Sequence, residues 1–199
     1  MSNILGKRKY KEIDYKFISP SDISDILFNQ PLDCYLKYYK HKYNIKETEN
    51  IYNNYIYKKG KEFEDEVINK LEEKHTIKKM PSNSINYKNF QATLDAMNEG
   101  HNIIYQGVLY CEENKLYGSP DLLVKANYID KLFPVESCKV LQNSAIYSDD
   151  YIPIEIKNST LFLTADNIHL MNGGRVKYYK GQLYIYQKIL NIWIAVLIV

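Results

Sequence analysis

At 199 residues the chain is long enough for one domain with a full core and short for two. Hydrophobic residues make up 45% and charged residues 25%, a globular balance that excludes disorder as the main state. The net charge of +2 names no partner, since 26 Lys and Arg leave room for a basic face while 24 Asp and Glu balance it elsewhere.

Residues 1–17 read as a peripheral segment ahead of a single domain that takes up the rest of the chain. Ser19-Pro20-Ser21-Asp22 then has an N-cap serine, proline at the first helical position and an acid at the third, so a short helix should follow and break near Pro31. A second helix, "LDCYLKYYKHKY", carries Leu32, Tyr35, Leu36 and Tyr39 on one stripe with lysines opposite. A longer helix is expected over residues 48–74. After a loop at residues 81–86, "YKNFQATLDAMNEG" places Phe90, Leu94 and Met97 at helical spacing and ends in Gly100, a C′ glycine.

The period then changes. "NIIYQGVLY" and "KLYGSPDLLVK" read as two strands joined by the polar turn "CEEN", and residues 126–150 as an insertion or loop. "YIPIEIK" is a strand, "VKYYKGQLYIYQKIL" a helix and "IWIAVLIV" a buried strand, too short to cross a bilayer. This strand, helix, strand succession favours a parallel crossover beside an antiparallel hairpin, hence a mixed-sheet α/β domain. The chain stops directly after an apolar strand, as expected of one part of a longer polypeptide.

The cysteines Cys34, Cys111 and Cys138 are scattered, odd in number and form no C-x-x-C pair. Neither a disulfide framework nor a zinc site follows, and a reducing intracellular setting is expected, in cytoplasm, nucleus or a virus-infected host cell. The N-terminal stretch "MSNILGKRKYKEIDYK" lacks the apolar core of a signal peptide. Twenty tyrosines invite the idea of base stacking, but an AT-rich gene is the better account of most of the abundant Tyr, Lys, Asn and Ile, and the tyrosines as a group carry little weight.

Several polar groups point inward. Strand alternation puts Ile152, Ile154 and Ile156 on one face and Pro153, Glu155 and Lys157 on the other. Asp121 shares a face with Ser119 and Leu123, opposite Leu122 and Val124. Each strand alone could simply have a solvated face. On the long helix, Gly60, Phe63, Val67, Ile68 and Leu71 cover one arc with Glu64 inside it, whereas Glu62, Asp65, Glu66, Asn69, Glu72 and Glu73 lie outside. A carboxylate so placed needs a salt bridge or a metal. Gln182 and Tyr186 lie on the apolar arc of Tyr179, Ile185, Ile189 and Leu190, while Tyr184 and Lys188 face away.

Gly60-x-x-x-Glu64, Gly118-x-Pro120-Asp121, Glu155-x-Lys157 and Gln182-x-x-x-Tyr186 follow one another in the order of the PD-(D/E)XK nuclease superfamily, and the chain specifically resembles its RecB-like branch. "ISPSDISDILFNQPLDCYLKYY" is similar to that branch's N-terminal helical segment. "QATLDAMNEGHNIIYQGVLY" is similar to the stretch before its first catalytic aspartate. Each motif alone is weak, but the ordered set spans roughly residues 18–199. Two departures stand out. Many relatives have histidine where this chain has Glu64. The position of the cysteine that in some relatives holds an iron-sulfur cluster looks like Gln30-Pro31, so no such cluster is expected, and Cys34 reads as a core residue.

The resemblance implies a restriction-endonuclease-like core, a mixed sheet flanked by helices with an N-terminal helical segment, and a metal-dependent DNA nuclease. Asp121, Glu155 and Lys157 would be catalytic. The ligands of one or two Mg2+ or Mn2+ ions would be Asp121 and Glu155, Glu64 directly or through water, and the Ile156 carbonyl. Gln182 and Tyr186 would position DNA or support the ligands, and Arg175, Lys177 and Lys180, placed just before their helix, could meet the phosphate backbone. The four histidines, His41, His75, His101 and His169, read as surface or structural residues, and "MNGGRV" as a turn near the site or a plain loop. Expected partners are DNA and a helicase or other repair or recombination protein, with no membrane. Two other readings stand beside it: a catalytically silent DNA-binding or scaffold domain of a helicase-nuclease assembly, and an RNA-acting enzyme.

Overall fold

The computed structural model describes residues 17–28, 30, 32–33, 35–36, 39, 50–81, 84–133, 150–160, 162, 164–165, 171, 175–191 and 196–198. The packed body begins at Phe17, which is buried and stacks on Tyr110 with ring centroids 4.9 Å apart. Ile18 then bridges Leu116, and the capping box read at Ser19 and Asp22 opens a 3-10 turn, Pro20–Asp22. The Asp22 carboxylate accepts from the Ser19 amide at 2.7 Å. Helix α1 (Ile23–Leu27) follows directly. In the next expected helix the described residues among 32–39 are helical, and Tyr35 packs on Tyr39 with ring centroids 4.7 Å apart, but Leu32 and Tyr35 of its apolar stripe are exposed. Cys34 lies outside the described residues.

Helix α2 (Ile51–Glu72) starts at Asn50, whose side chain accepts from the Tyr52 and Asn53 amides. Its arc is as expected: Ile68 is buried, Phe63, Val67 and Leu71 are half-buried against the core, and the acids outside the arc are exposed. Strand β1 (Lys78–Lys79) comes next, then helix α3 (Tyr87–Asn98). Gly100 ends α3 with φ +78°; its amide bonds the Met97 carbonyl and the His101 amide that of Ala96, a Schellman motif.

Each of the two runs read as single strands is broken in two. The first gives β2 (Ile103–Tyr105) and β3 (Leu109–Cys111), the second β4 (Leu116–Gly118) and β5 (Leu122–Lys125). The breaks have local causes. Gln106 adopts φ +55°, and a Cβ at Gly107 would lie 2.7 Å from a Leu123 methyl group. The Val108 amide then turns inward to the buried Thr93 hydroxyl at 2.8 Å. On the other run, Pro120 has no amide to continue the ladder. The turn between β3 and β4 forms as read, but the hairpin makes a separate two-stranded sheet.

Beyond β5, a 3-10 turn (Ala126–Tyr128) and helix α4 (Ile129–Leu132) occupy part of the expected insertion. Strand β6 (Tyr151–Ile156), helix α5 (Arg175–Leu190) and strand β7 (Val196–Ile198) complete the described fold. The larger sheet runs β1-β2-β5-β6-β7. The β1–β2 and β6–β7 pairs are parallel, while β2–β5 and β5–β6 are antiparallel. The parallel crossover expected at β6–α5–β7 is therefore present, and β1–α3–β2 makes a second one. One core cluster joins Ile103, Leu122, Val124 and the Ile152, Ile154, Ile156 series to α2. The other joins Ile104, Leu123 and Tyr151 to Ala96 of α3 and Tyr186 of α5. Helices thus flank both faces of a mixed sheet.

Candidate active site

The β5–β6 register sets the geometry. Leu122 pairs with Ile154 and Leu123 with Pro153, so one step back along β5 places Asp121 opposite Glu155. Directly opposed residues of an antiparallel pair carry their side chains on one face. By alternation that face is the one of Leu123 and Tyr151, against α5. Lys157 follows two residues after Glu155 on the same side.

The contacts agree with the register. The Ile156 amide donates to Asp121 Oδ2 at 2.7 Å, so the described contact of Ile156 with the site is through its N–H. Lys157 Nζ lies 3.7 Å from Asp121 Oδ2 and is in direct contact with Glu155 Oε2. Every residue of β6 is buried, Glu155 at 3% exposure, so these are not solvated faces of amphipathic strands. Burial, and next the Glu155 carboxylate, push the Asp121 carboxyl up to about 7; Lys157 and the Ile156 amide oppose this, and Glu64 adds to it. Burial alone would lower the Lys157 ammonium, but Glu155 and then Asp121 outweigh it and the net shift is upward.

Helix α5 closes this face with Tyr178, Gln182 and Tyr186, spaced four apart. The Tyr186 phenol is buried and hydrogen-bonded to Glu155; burial first, then the Glu155 charge, hold it protonated well above its ordinary value. Gln182 is buried as read, and its Nε2 donates to the Tyr178 hydroxyl at 2.9 Å. Gln182 Oε1 and Ser119 Oγ are buried with no hydrogen-bond partner among the described residues. Tyr178 was not singled out from sequence, although its four-residue step from Gln182 was visible there. Gly118 is required by packing: a Cβ would lie 2.7 Å from the Tyr186 ring and 2.9 Å from Pro20.

Glu64 reaches the end of the sheet from α2, on the opposite face. It is paired, as one of its two expectations required. Lys61 Nζ lies 3.3 Å from Glu64 Oε2, and Tyr105 Oη and Gln106 Nε2 donate to Oε1 at 2.8 and 3.0 Å. Lys61 also donates to Tyr105 Oη at 2.7 Å, and burial, tempered by Lys61, pushes the Tyr105 phenol up to about 12. Among the described residues, no group of three or more His, Cys, Asp and Glu side chains is placed to hold a metal ion. The structure thus brings Asp121, Glu155, Lys157 and Tyr186 together and holds Glu64 in an adjoining cluster. Sequence reading found Glu64 but missed Lys61, which lies outside the apolar arc.

Arg175, Lys177 and Lys180 lie within the first turns of α5, not before it, and are exposed. His75 bonds Tyr128 Oη at 3.1 Å and His101 contacts Glu99 at 2.9 Å, structural settings both. Cys111 is a half-buried free thiol. Cys138, His41, His169 and residues 172–174 lie outside the described residues. Among the described residues no helix is long and apolar enough to cross a membrane. The chain matches no family model, no curated protein and no solved structure.

Proposed function

We propose that the chain is a metal-dependent deoxyribonuclease with a restriction-endonuclease-like core of the RecB-like kind, hydrolysing phosphodiester bonds in DNA. The observation that carries this reading is the cross-strand pairing of Asp121 and Glu155 with Lys157 against both. The ordered motifs and the mixed sheet with helices on both faces support it.

The donor set fits a hard divalent cation. Two carboxylates crowd one buried face, and the charge of Glu155 helps keep Asp121 protonated to near neutral pH. A cation between them would relieve that repulsion, and all-oxygen donors suit Mg2+ or Mn2+. Asp121 and Glu155 would hold it, with Glu64 the third acid within reach of their field. When bound, the metal would supply Lewis acidity at a phosphoryl oxygen and a water of lowered pKa.

The protein's own groups do the rest. Lys157, fully protonated at neutral pH, faces the phosphate and stabilises negative charge developing on its oxygens. Tyr186 and the Ile156 amide fix one oxygen each of Glu155 and Asp121, so neither carboxylate must reorganise during the reaction. The exposed Arg175, Lys177 and Lys180 of α5 offer cations to the DNA phosphate backbone.

One observation favours a second reading: Lys157 already neutralises Glu155, and Lys61 neutralises Glu64, as in a catalytically silent DNA-binding or scaffold domain beside a helicase or other repair or recombination protein. Incubation with end-labelled single- and double-stranded DNA and matched RNA, with Mg2+, Mn2+ or chelator, separates the readings. A nuclease of this kind cleaves DNA with metal only, and Asp121→Asn or Glu155→Gln slows cleavage by at least about 100-fold while DNA binding persists. DNA binding without cleavage supports the silent domain, faster RNA cleavage an RNA-acting enzyme, and equal cleavage by wild type and both variants rejects the proposal.

A further inference from the structure

Three non-glycine residues among those described have positive φ: Gln106, Lys115 and Asn191. Lys115 lies in the β3–β4 turn and Asn191 directly follows α5, places where this conformation is common. Gln106 is different, because it sits inside the body between β2 and β3. Glycine or asparagine would adopt its φ of +55° at less cost. The bend has its own packing requirement at Gly107, where no Cβ fits, but that requirement does not call for a glutamine beside it.

The glutamine side chain does what the cheaper residues could not. The Gln106 backbone amide donates to the Asp121 carbonyl at 3.0 Å, and its side-chain Nε2 donates to Glu64 Oε1 at 3.0 Å and to Tyr105 Oη at 3.0 Å. One strained residue therefore ties the backbone carbonyl of Asp121, just ahead of β5, to the carboxylate of Glu64 on α2. Asparagine is one methylene shorter, and glycine has no amide to offer.

We infer that Gln106 is a positioning residue that fixes the Glu64 carboxylate relative to the Asp121 backbone, and so sets where the third acid stands beside the proposed metal. This inference rests on the nuclease reading. Strain held at one residue and returned as orientation of a neighbouring carboxylate is a known use of such backbone outliers. Groups that hold metal-binding carboxylates typically change metal affinity or activity roughly 10–100-fold when removed.

The test uses the whole chain and four variants, Gln106→Gly, Gln106→Asn, Glu64→Gln and Gln106→Gly with Glu64→Gln. Mn2+ is titrated while the melting temperature and the rate of DNA cleavage are both followed. Gln106→Gly keeps the backbone conformation without strain, so in chelator it melts no lower than wild type, yet it needs roughly 10-fold more Mn2+ for half of the full thermal shift. Gln106→Asn behaves in the same way. In the Glu64→Gln background, Gln106→Gly adds less than about twofold, because both act through one carboxylate. A wild-type-like Mn2+ response in Gln106→Gly and Gln106→Asn overturns the inference, as does a full loss persisting in the Glu64→Gln background. A wild-type protein with neither a Mn2+ response nor cleavage overturns the function reading itself, and the inference with it.

Discussion

Asp121 and Glu155 face each other across the β5–β6 ladder, one residue beyond the paired Leu122 and Ile154, with Lys157 reaching both carboxylates. Two acids and a single ammonium would leave this buried face with one negative charge too many if both acids were ionised, and Asp121 holds a proton up to about pH 7 instead. The behaviour of the site without metal follows from that imbalance.

Asp121 carries the most direct consequence. Its folded-state pKa is raised to about 7 from the ordinary carboxyl value of 3.8, so between these values the folded protein holds a proton that the unfolded chain has lost. A raised carboxyl contributes stability that is fully present below its unfolded pKa and lost as pH rises through the folded one. In chelator, wild type should therefore lose stability between about pH 4 and 7, and Asp121→Asn should be the more stable protein at pH 8 by roughly 1–3 kcal/mol. Thermal melts from pH 4 to 8 check this; the difference should shrink toward pH 4.

Lys157 should be more costly to lose than to replace. Lys157→Met leaves Glu155 buried beside Asp121 with no cation, a loss of about 3–5 kcal/mol. Adding Glu155→Gln should restore part of it, because the uncompensated charge goes. Urea denaturation of the single and double variants measures both steps, and Mn2+ should restore the single variant but not the double.

Gly118→Ala should destabilise through shape alone. The added methyl would meet the Tyr186 ring at 2.7 Å and Pro20 at 2.9 Å, and neither neighbour is an easily displaced chain end. The expected loss is about 1–3 kcal/mol in urea denaturation. The displaced phenol should also loosen its bond to Glu155, so cleavage should slow as well.

Thr93→Val tests the bend. The Thr93 hydroxyl is fully buried, accepts from the Val108 amide at 2.8 Å and donates to the Asn89 carbonyl at 2.9 Å. Valine keeps the shape but leaves the Val108 amide unpaired, at a cost of about 1–3 kcal/mol. Amide hydrogen exchange at Val108 should accelerate by more than at its neighbours.

Where local pattern and tertiary environment coincide, the sequence was a good guide. The alternation at Ile152, Ile154 and Ile156, the arc enclosing Glu64, the Ser19–Asp22 cap and the Gly100 terminus are all local patterns, and the structure has each. Opposing Asp121 to Glu155 required a register that neither strand encodes alone. The breaks at Gln106 and Pro120 were missed because contacts with Thr93 and Leu123 set the first, distant in sequence, and an ordinary-looking proline sets the second. Strand β1 was missed because two lysines carry no strand signal; they pair because Ile104 and Tyr105 offer a free edge. Tyr178 and Lys61 escaped because each acts through a neighbour, Gln182 and Glu64.

The central claim, that Asp121 and Glu155 share a cation, is tested most directly by anomalous diffraction from crystals of the protein grown with Mn2+. The account predicts one anomalous peak with an oxygen of Asp121 and an oxygen of Glu155 each about 2.1 Å away, and Lys157 drawn off Glu155. A Lys157 still bridging both carboxylates, with no manganese between them at saturating metal, would contradict it.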